Sequence, residues 1–372
     1  MKRISILLLA FCTCLALAAW PQAQAQASKH KIIEFSAPDA GTEFNQGTFP
    51  QGIVAGGAIS GWYIDSNFVY HGFVRDPKNR KITEFSDPKA GKFSYAGTQP
   101  YGMNAAGKIV GMYWVKGWVE HGFLRTPDGK FRIIDDPYGG KGQSQGTVAA
   151  NINRAGEIAG WYVDSNGAMH AFLLTPDLKT FTTVDAPGAV GTETPTFYGL
   201  NPQGSMTGYY LDSSDVWHSF LRTPDGTITE FDAPGAGKGR GQGTWGVAIN
   251  PKRWTTGEYT DANGVNHGFL RSPGGTITKF DPPGAGKNSG QGTFSAAFDA
   301  ARAIAGWYLD SNGVNHGFLR HPDGTFTAPI DAPHAGKAGG QGTIAYGINP
   351  EGEITGWYID SSGVSHGFLW MP

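Results

Sequence analysis

Apolar and polar positions along this chain fall into short strand-like runs, and turn signals separate them. In "TIAYGIN" (343–349), "EITGWYID" (353–360) and "VSHGFLW" (364–370), Val, Ile, Thr, Phe, Trp and Tyr dominate, as they do in strands. "PEG" and "SSG" divide these three runs, and "PDG" elsewhere leads to a fourth, such as "TITEFDAP" (227–234). Asp-Gly and Asn-Gly are hairpin pairs because glycine accepts a positive φ. The four runs, lettered a to d, therefore predict a four-stranded antiparallel meander. A longer Gly/Pro stretch, "APGAGKGRGQG" in one copy, joins d to the next a.

The meander recurs. Aligning on H-x-F places His71, His121, His170, His218, His267, His316 and His366 at intervals of 50, 49, 48, 49, 49 and 50 residues. Seven such copies predict an all-β fold, a seven-bladed β-propeller of four-stranded antiparallel blades. Runs b and c carry bulky residues on both sides, as blades packed face to face require. An open β-solenoid is the rival, with shorter, parallel rungs. A d-type run, "KIIEFSAP" (31–38), precedes the first copy, and the last copy stops after run c. Joined, the two ends make one complete blade, the seventh. An N-terminal strand that joins the last blade closes the ring and removes exposed edges.

Composition agrees. Glycine numbers 56 of 372 residues and aromatics reach 13%, which suits tight turns and sheet cores. Residues 1–27 have the form of a secretory signal peptide: Lys2 and Arg3, an apolar stretch over 4–19, and small residues for cleavage after Ala25 or Ala27. No later run matches that apolar stretch, so no membrane span is expected. Residues 28–372 are then a single propeller, secreted to the periplasm or the exterior. Cys12 and Cys14 leave with the signal, which removes disulfide, thiolate-metal and thiol-nucleophile chemistry. The formal charge of −2 becomes −4, and no basic footprint for nucleic acid exists. The chain is expected to be a monomer.

The repeated "IN..G.I.G" followed by "HGFL", or "HAFL" at His170–Leu173, resembles the HAF-type extracellular repeat family of exported bacterial proteins. The resemblance covers essentially the whole mature chain. It implies secretion and a β-propeller-like fold, and supplies no activity or catalytic residue. Most copies here have HGF in place of HAF.

The seven histidines invite a catalytic reading, but a residue present in every unit answers a need of every unit. Each is expected to pair with the aspartate of its b–c hairpin: Asp65/His71, Asp164/His170, Asp212/His218, Asp261/His267, Asp310/His316 and Asp360/His366. The second unit has Lys116 near that place, and Glu120 stands next to His121. "DSNG" resembles half of a calcium loop but lacks the further oxygen ligands and the closing carboxylate. A hairpin turn is the expectation, one weak calcium per unit the alternative, and no other cofactor or metal is implied. Trp62, Trp161, Trp307 and Trp357 are expected in the core between blades, with sugar stacking as the alternative. No serine stands in a G-x-S-x-G setting.

Connections d–a and b–c share one face of a meander. That loop-rich face carries "QGT": Gln46, Gln145, Gln242, Gln291 and Gln341, with Thr48, Thr98, Thr147, Thr244, Thr293 and Thr343. Their amides and hydroxyls suit neutral polar ligands such as glycans; a turn followed by a strand start is the structural alternative. Function is sought where the repeat breaks: Lys116, Trp118 and Glu120 in the second unit, Glu193 and Trp217 in the fourth. Arg253 and Trp254 break it on the other face. The favoured reading is a secreted, non-catalytic propeller that binds a glycan or another exported protein through this face. A polysaccharide lyase or glycosidase using Glu120 or Glu193, and a structural matrix protein, are the alternatives.

Overall fold

The computed structural model describes residues 30–193 and 198–372, and of Glu193 only the backbone. The leader expected over residues 1–27 lies outside them. The described residues form 28 β-strands and no helix, so none of them forms a helix long and apolar enough to cross a membrane.

After β1 (Lys31–Phe35), the strands come in antiparallel meanders. The first is β2 (Gly47–Ile53), β3 (Ile59–Ile64), β4 (Tyr70–Arg75) and β5 (Ile82–Phe85). Then come β6 (Thr98–Met103), β7 (Ile109–Trp114), β8 (Glu120–Arg125) and β9 (Phe131–Ile134). β10 (Gly146–Ile152), β11 (Ile158–Val163), β12 (Met169–Leu174) and β13 (Phe181–Val184) repeat the pattern. The next group has a short a strand, β14 (Gly191–Glu193), before β15 (Met206–Leu211), β16 (Trp217–Arg222) and β17 (Ile228–Phe231). β18 (Gly243–Ile249), β19 (Thr255–Thr260), β20 (Asn266–Arg271) and β21 (Ile277–Phe280) follow. β22 (Gly292–Phe298), β23 (Ile304–Leu309), β24 (Asn315–Arg320) and β25 (Phe326–Ile330) come next. β26 (Gly342–Ile348), β27 (Ile354–Ile359) and β28 (Ser365–Met371) end the chain, and β1 pairs antiparallel with β28, Phe35 opposite Gly367.

The core explains the H-x-F signature. Phe73, Phe123, Phe172, Phe220, Phe269, Phe318 and Phe368 are all 0% exposed, as are Ile59, Ile109, Ile158, Ile304 and Ile354 at the start of strand b. Burying a side chain of this size stabilises by roughly 1.5–3 kcal/mol. Trp62, Trp161, Trp307 and Trp357, expected in that core, are only half-buried. Where ring contacts reach the neighbouring meander, each indole meets a single strand-a ring: Phe49 against Trp357, and Tyr346 against Trp307.

Successive meanders touch through one recurring parallel bridge. The first residue of strand c pairs with the glycine of the next "QGT": Glu120 with Gly146, Trp217 with Gly243, Asn266 with Gly292, Asn315 with Gly342. Ser365 of β28 pairs in the same way with Gly47 of β2, which joins the last group to the first. A Cβ at Gly243 would stand 2.0 Å from the Trp217 carbonyl oxygen, and φ there is +131°, so only glycine fits. The hydrogen-bonded strands make one 20-stranded and one 8-stranded sheet, the smaller being β6–β13.

On the opposite face the asparagine of "I-N" links neighbours. Nδ2 of Asn104, Asn153 and Asn201 each donates to the carbonyl of the next asparagine, Asn153, Asn201 and Asn250, at 3.1 Å. Tyr198 ties the fourth group to others: its carbonyl accepts the Ile249 N–H at 2.9 Å, and its ring packs against the core of the last two groups.

Candidate ligand-binding face

The b–c hairpin builds the first part of the site. Asp212 Oδ1 accepts the N–H groups of Ser214 (2.8 Å) and Val216 (2.9 Å), which closes the turn. Oδ2 is left for His218 Nε2 at 3.4 Å. The same turn recurs at Asp65, Asp164, Asp261, Asp310 and Asp360. Their Oδ2 atoms lie 3.3, 3.8, 3.5, 3.7 and 3.2 Å from His71, His170, His267, His316 and His366.

A second acid was not anticipated. His170, His218, His267 and His316 also face Asp185, Asp232, Asp281 and Asp331 through Nδ1, at 3.0, 2.9, 3.0 and 2.9 Å. These aspartates follow strand d in "D-A-P" or "D-P-P", and the recurrence of that motif was the available signal. Ser36 and Ser86 take that place for His366 and His71. His121 has neither a hairpin aspartate nor a bond to Glu120; Val115 stands six residues before it, and Asp135 holds its Nδ1 at 3.0 Å. A tyrosine of strand b packs on every one of these rings, Tyr210 on His218 at 5.1 Å. Burial opposes charge on His218, but Asp232 and Asp212 outweigh it and raise its pKa. Backbone N–H donors, Val216 first, hold Asp212 below its usual range.

Around these clusters open niches between the b–c hairpin and the d–a loop. One, of about 610 Å³, is lined by Asp212, Trp217, His218, Asp232 and Lys238. A second, about 640 Å³, holds Asp261, His267, Asp281 and Lys287. A third, about 280 Å³, holds Asp310, His316, Asp331 and Lys337. Trp217, singled out in the sequence, thus lies in a niche.

The "QGT" polar groups turn toward the protein. Oε1 of Gln46, Gln145, Gln242, Gln291 and Gln341 accepts a loop N–H three residues back, from Glu43, Gly142, Gly239, Asn288 and Ala338. Nε2 of the last four donates to the carbonyls of Ser165, Ala262, Ser311 and Ser361 in the adjoining hairpin. Thr48, Thr98, Thr147, Thr244 and Thr343 accept the N–H just beyond strand d, and Thr293 donates to Asp281. Among the described residues no group of three or more His, Cys, Asp or Glu side chains is placed to hold a metal ion.

The other side of strand b carries a wall of half-buried rings. From Trp118 it passes through Trp114, Tyr70, Trp62, Phe49 and Trp357 to Tyr346, Trp307 and Phe294. Neighbouring centroids are 4.1–6.4 Å apart. A second arc joins Tyr209, Trp217 and Trp245. Glu258 stands between the arcs, at the place of Trp62, Trp161, Trp307 and Trp357. It lies opposite Trp245 in the β18–β19 register, and its carboxylate accepts the Ser295 N–H at 3.3 Å. Burial raises its pKa to about 8. The sequence reading missed Glu258, although this break in "GWY" was visible. Trp118 packs edge-on against Phe93 at 5.2 Å, while Lys116 is exposed. Burial also raises the Glu120 carboxyl, and a hydrogen bond from Trp114 pulls it back in part. The backbone of Glu193 pairs with Tyr209; its side chain lies outside the described residues. On the other face Arg302 covers Trp254.

The fold is similar to solved β-propellers. BP39L lectin from Burkholderia pseudomallei matches with a TM-score of 0.53 and 12% identity over 91% of this chain and 98% of that one. The β-propeller domain of the trilobed protease from Pyrococcus furiosus matches at 0.52 and 8%, over 87% and 95%. A prolyl endopeptidase matches at 0.54 and 10%, over 91% of this chain and 50% of its own. At such identities the likeness carries the fold alone. No family model matches the chain, and a comparison with curated proteins finds no match. The propeller part of the resemblance drawn from the repeats therefore stands, without a family assignment.

Proposed function

We propose that the chain is an exported, non-catalytic binding protein that engages a glycan through its loop-rich face. In this reading residues 1–27 are a cleaved leader, and residues 28–372 form one seven-bladed ring in which β1 completes the blade of β26–β28. The pairing of β1 with β28 and of β28 with β2 supports that closure. The observation that carries the binding role is the recurrence of one niche, with two acids, a histidine and a lysine, on successive units. Carboxylates and ammonium groups match sugar hydroxyls, and Trp217 in one niche matches the apolar face of a sugar. His218, His267 and His316 each face an acid on both ring nitrogens and serve to shape the niche. The lectin among the structural neighbours agrees with this reading.

The test is retention of the full chain on a panel of polysaccharides, with the same tubes assayed for released sugars. Retention without products is expected, and Trp217→Ala should weaken it by about tenfold through loss of one site among several. Unsaturated or hydrolysed products would replace the reading with an enzyme. No retention on any glycan would overturn it.

A further inference from the structure

We propose that the breach in the aromatic wall at Glu258 is a subsite for a sugar carrying a free ammonium group. This rests on the glycan reading and deepens it.

Glu258 replaces a ring in a surface otherwise lined by rings, and it opens between Trp245 on β18 and Phe294 on β22. The described residues give it no ion pair; its one hydrogen bond is the Ser295 N–H at 3.3 Å. Buried without a cation, Glu258 holds its proton at pH 7; a positive group seated against it favours release of that proton to solvent and then pairs with the carboxylate. Aromatic faces attract the same charge. Glu120, at the far end of the wall, differs: a hydrogen bond from Trp114 already serves its carboxyl. Glu258, Glu120, Trp245 and Phe294 are all part-exposed, which leaves a ligand access. Sugar rings stack their C–H faces on indoles, and an ammonium on such a ring satisfies the carboxylate. An amino sugar therefore uses both features, whereas a neutral sugar uses only the rings.

The experiment measures binding of a glucosamine tetramer and of its fully N-acetylated counterpart to the full chain. Tryptophan fluorescence and calorimetry are the two readouts. The free amine should bind about tenfold more tightly. Glu258→Gln should abolish that preference, and Glu258→Trp, which restores the residue of four other units, should do the same with an intact thermal melt. Asp177→Asn, in an exposed turn outside the niches, should leave the preference unchanged. Equal binding of both tetramers, or a preference that survives Glu258→Gln, overturns the inference. Retention on neutral polysaccharides without tetramer binding also overturns it, and leaves the glycan reading standing. Failure of every sugar on the panel would end both.

Discussion

At the scale of single residues, the repeat motif resolves into separate physical jobs. The glycine of "QGT" admits the carbonyl of the preceding unit, the glutamine closes its own loop, and the threonine accepts the end of strand d. Two neighbouring glycines separate conformation from crowding. Gly241 has φ of +74° and open space around it, whereas Gly243 has φ of +131° and a carbonyl 2.0 Å from where a Cβ would be. Gly241→Ala should cost about 1–2 kcal/mol, the ordinary strain of a left-handed residue. Gly243→Ala should cost roughly 3 kcal/mol or more, because the seam must also open. Urea denaturation of the two variants reads the difference, and equal midpoints would refute the account of the seam. The hairpin aspartates were legible in the sequence because a D-S-N-G turn places its acid beside a strand two residues on. The strand-d aspartates were not, because their approach to histidine depends on how strands c and d pair.

At the scale of elements, the meander was legible nearly strand by strand. The runs at 343–349, 353–360 and 364–370 became β26, β27 and β28 with each end shifted by one residue. Each well-described a–b pair adds something the pattern did not show: a register shift such as that between Ala345 and Gly347, which bends strand a. β1 has the least sequence context and the clearest consequence. It covers the outer edge of β28, and Glu34 on it accepts from His334 in a neighbouring loop, with Nδ1 at 2.6 Å. Removing residues 30–37 should expose that edge. The melting temperature should fall by about 5 °C or more, with dimers or aggregates on size exclusion. A monomer of unchanged stability would show that β1 does not seal the edge.

At the scale of the whole molecule, repetition predicts avidity. If several niches on one face bind the same sugar, a polymer should be held on the order of a hundredfold more tightly than a short oligomer of it. Surface plasmon resonance with both ligands checks this, and equal affinities would point to one dominant site. By itself, the amino-acid sequence determined the all-β class, the period of the repeat, the strands and the turn residues. These follow from local alternation and from the backbone freedom of glycine, and neither needs knowledge of what lies across the sheet. Tertiary structure alone decided which side chains face water. The tryptophans of "GWY" have the composition of a core, yet all four are half-buried and three of them, Trp62, Trp307 and Trp357, form a half-open wall, because exposure depends on what the neighbouring meander sets against them. It also decided that Glu258 stands among rings and that each niche has two acids, since those groups meet only when strands distant in sequence are brought side by side.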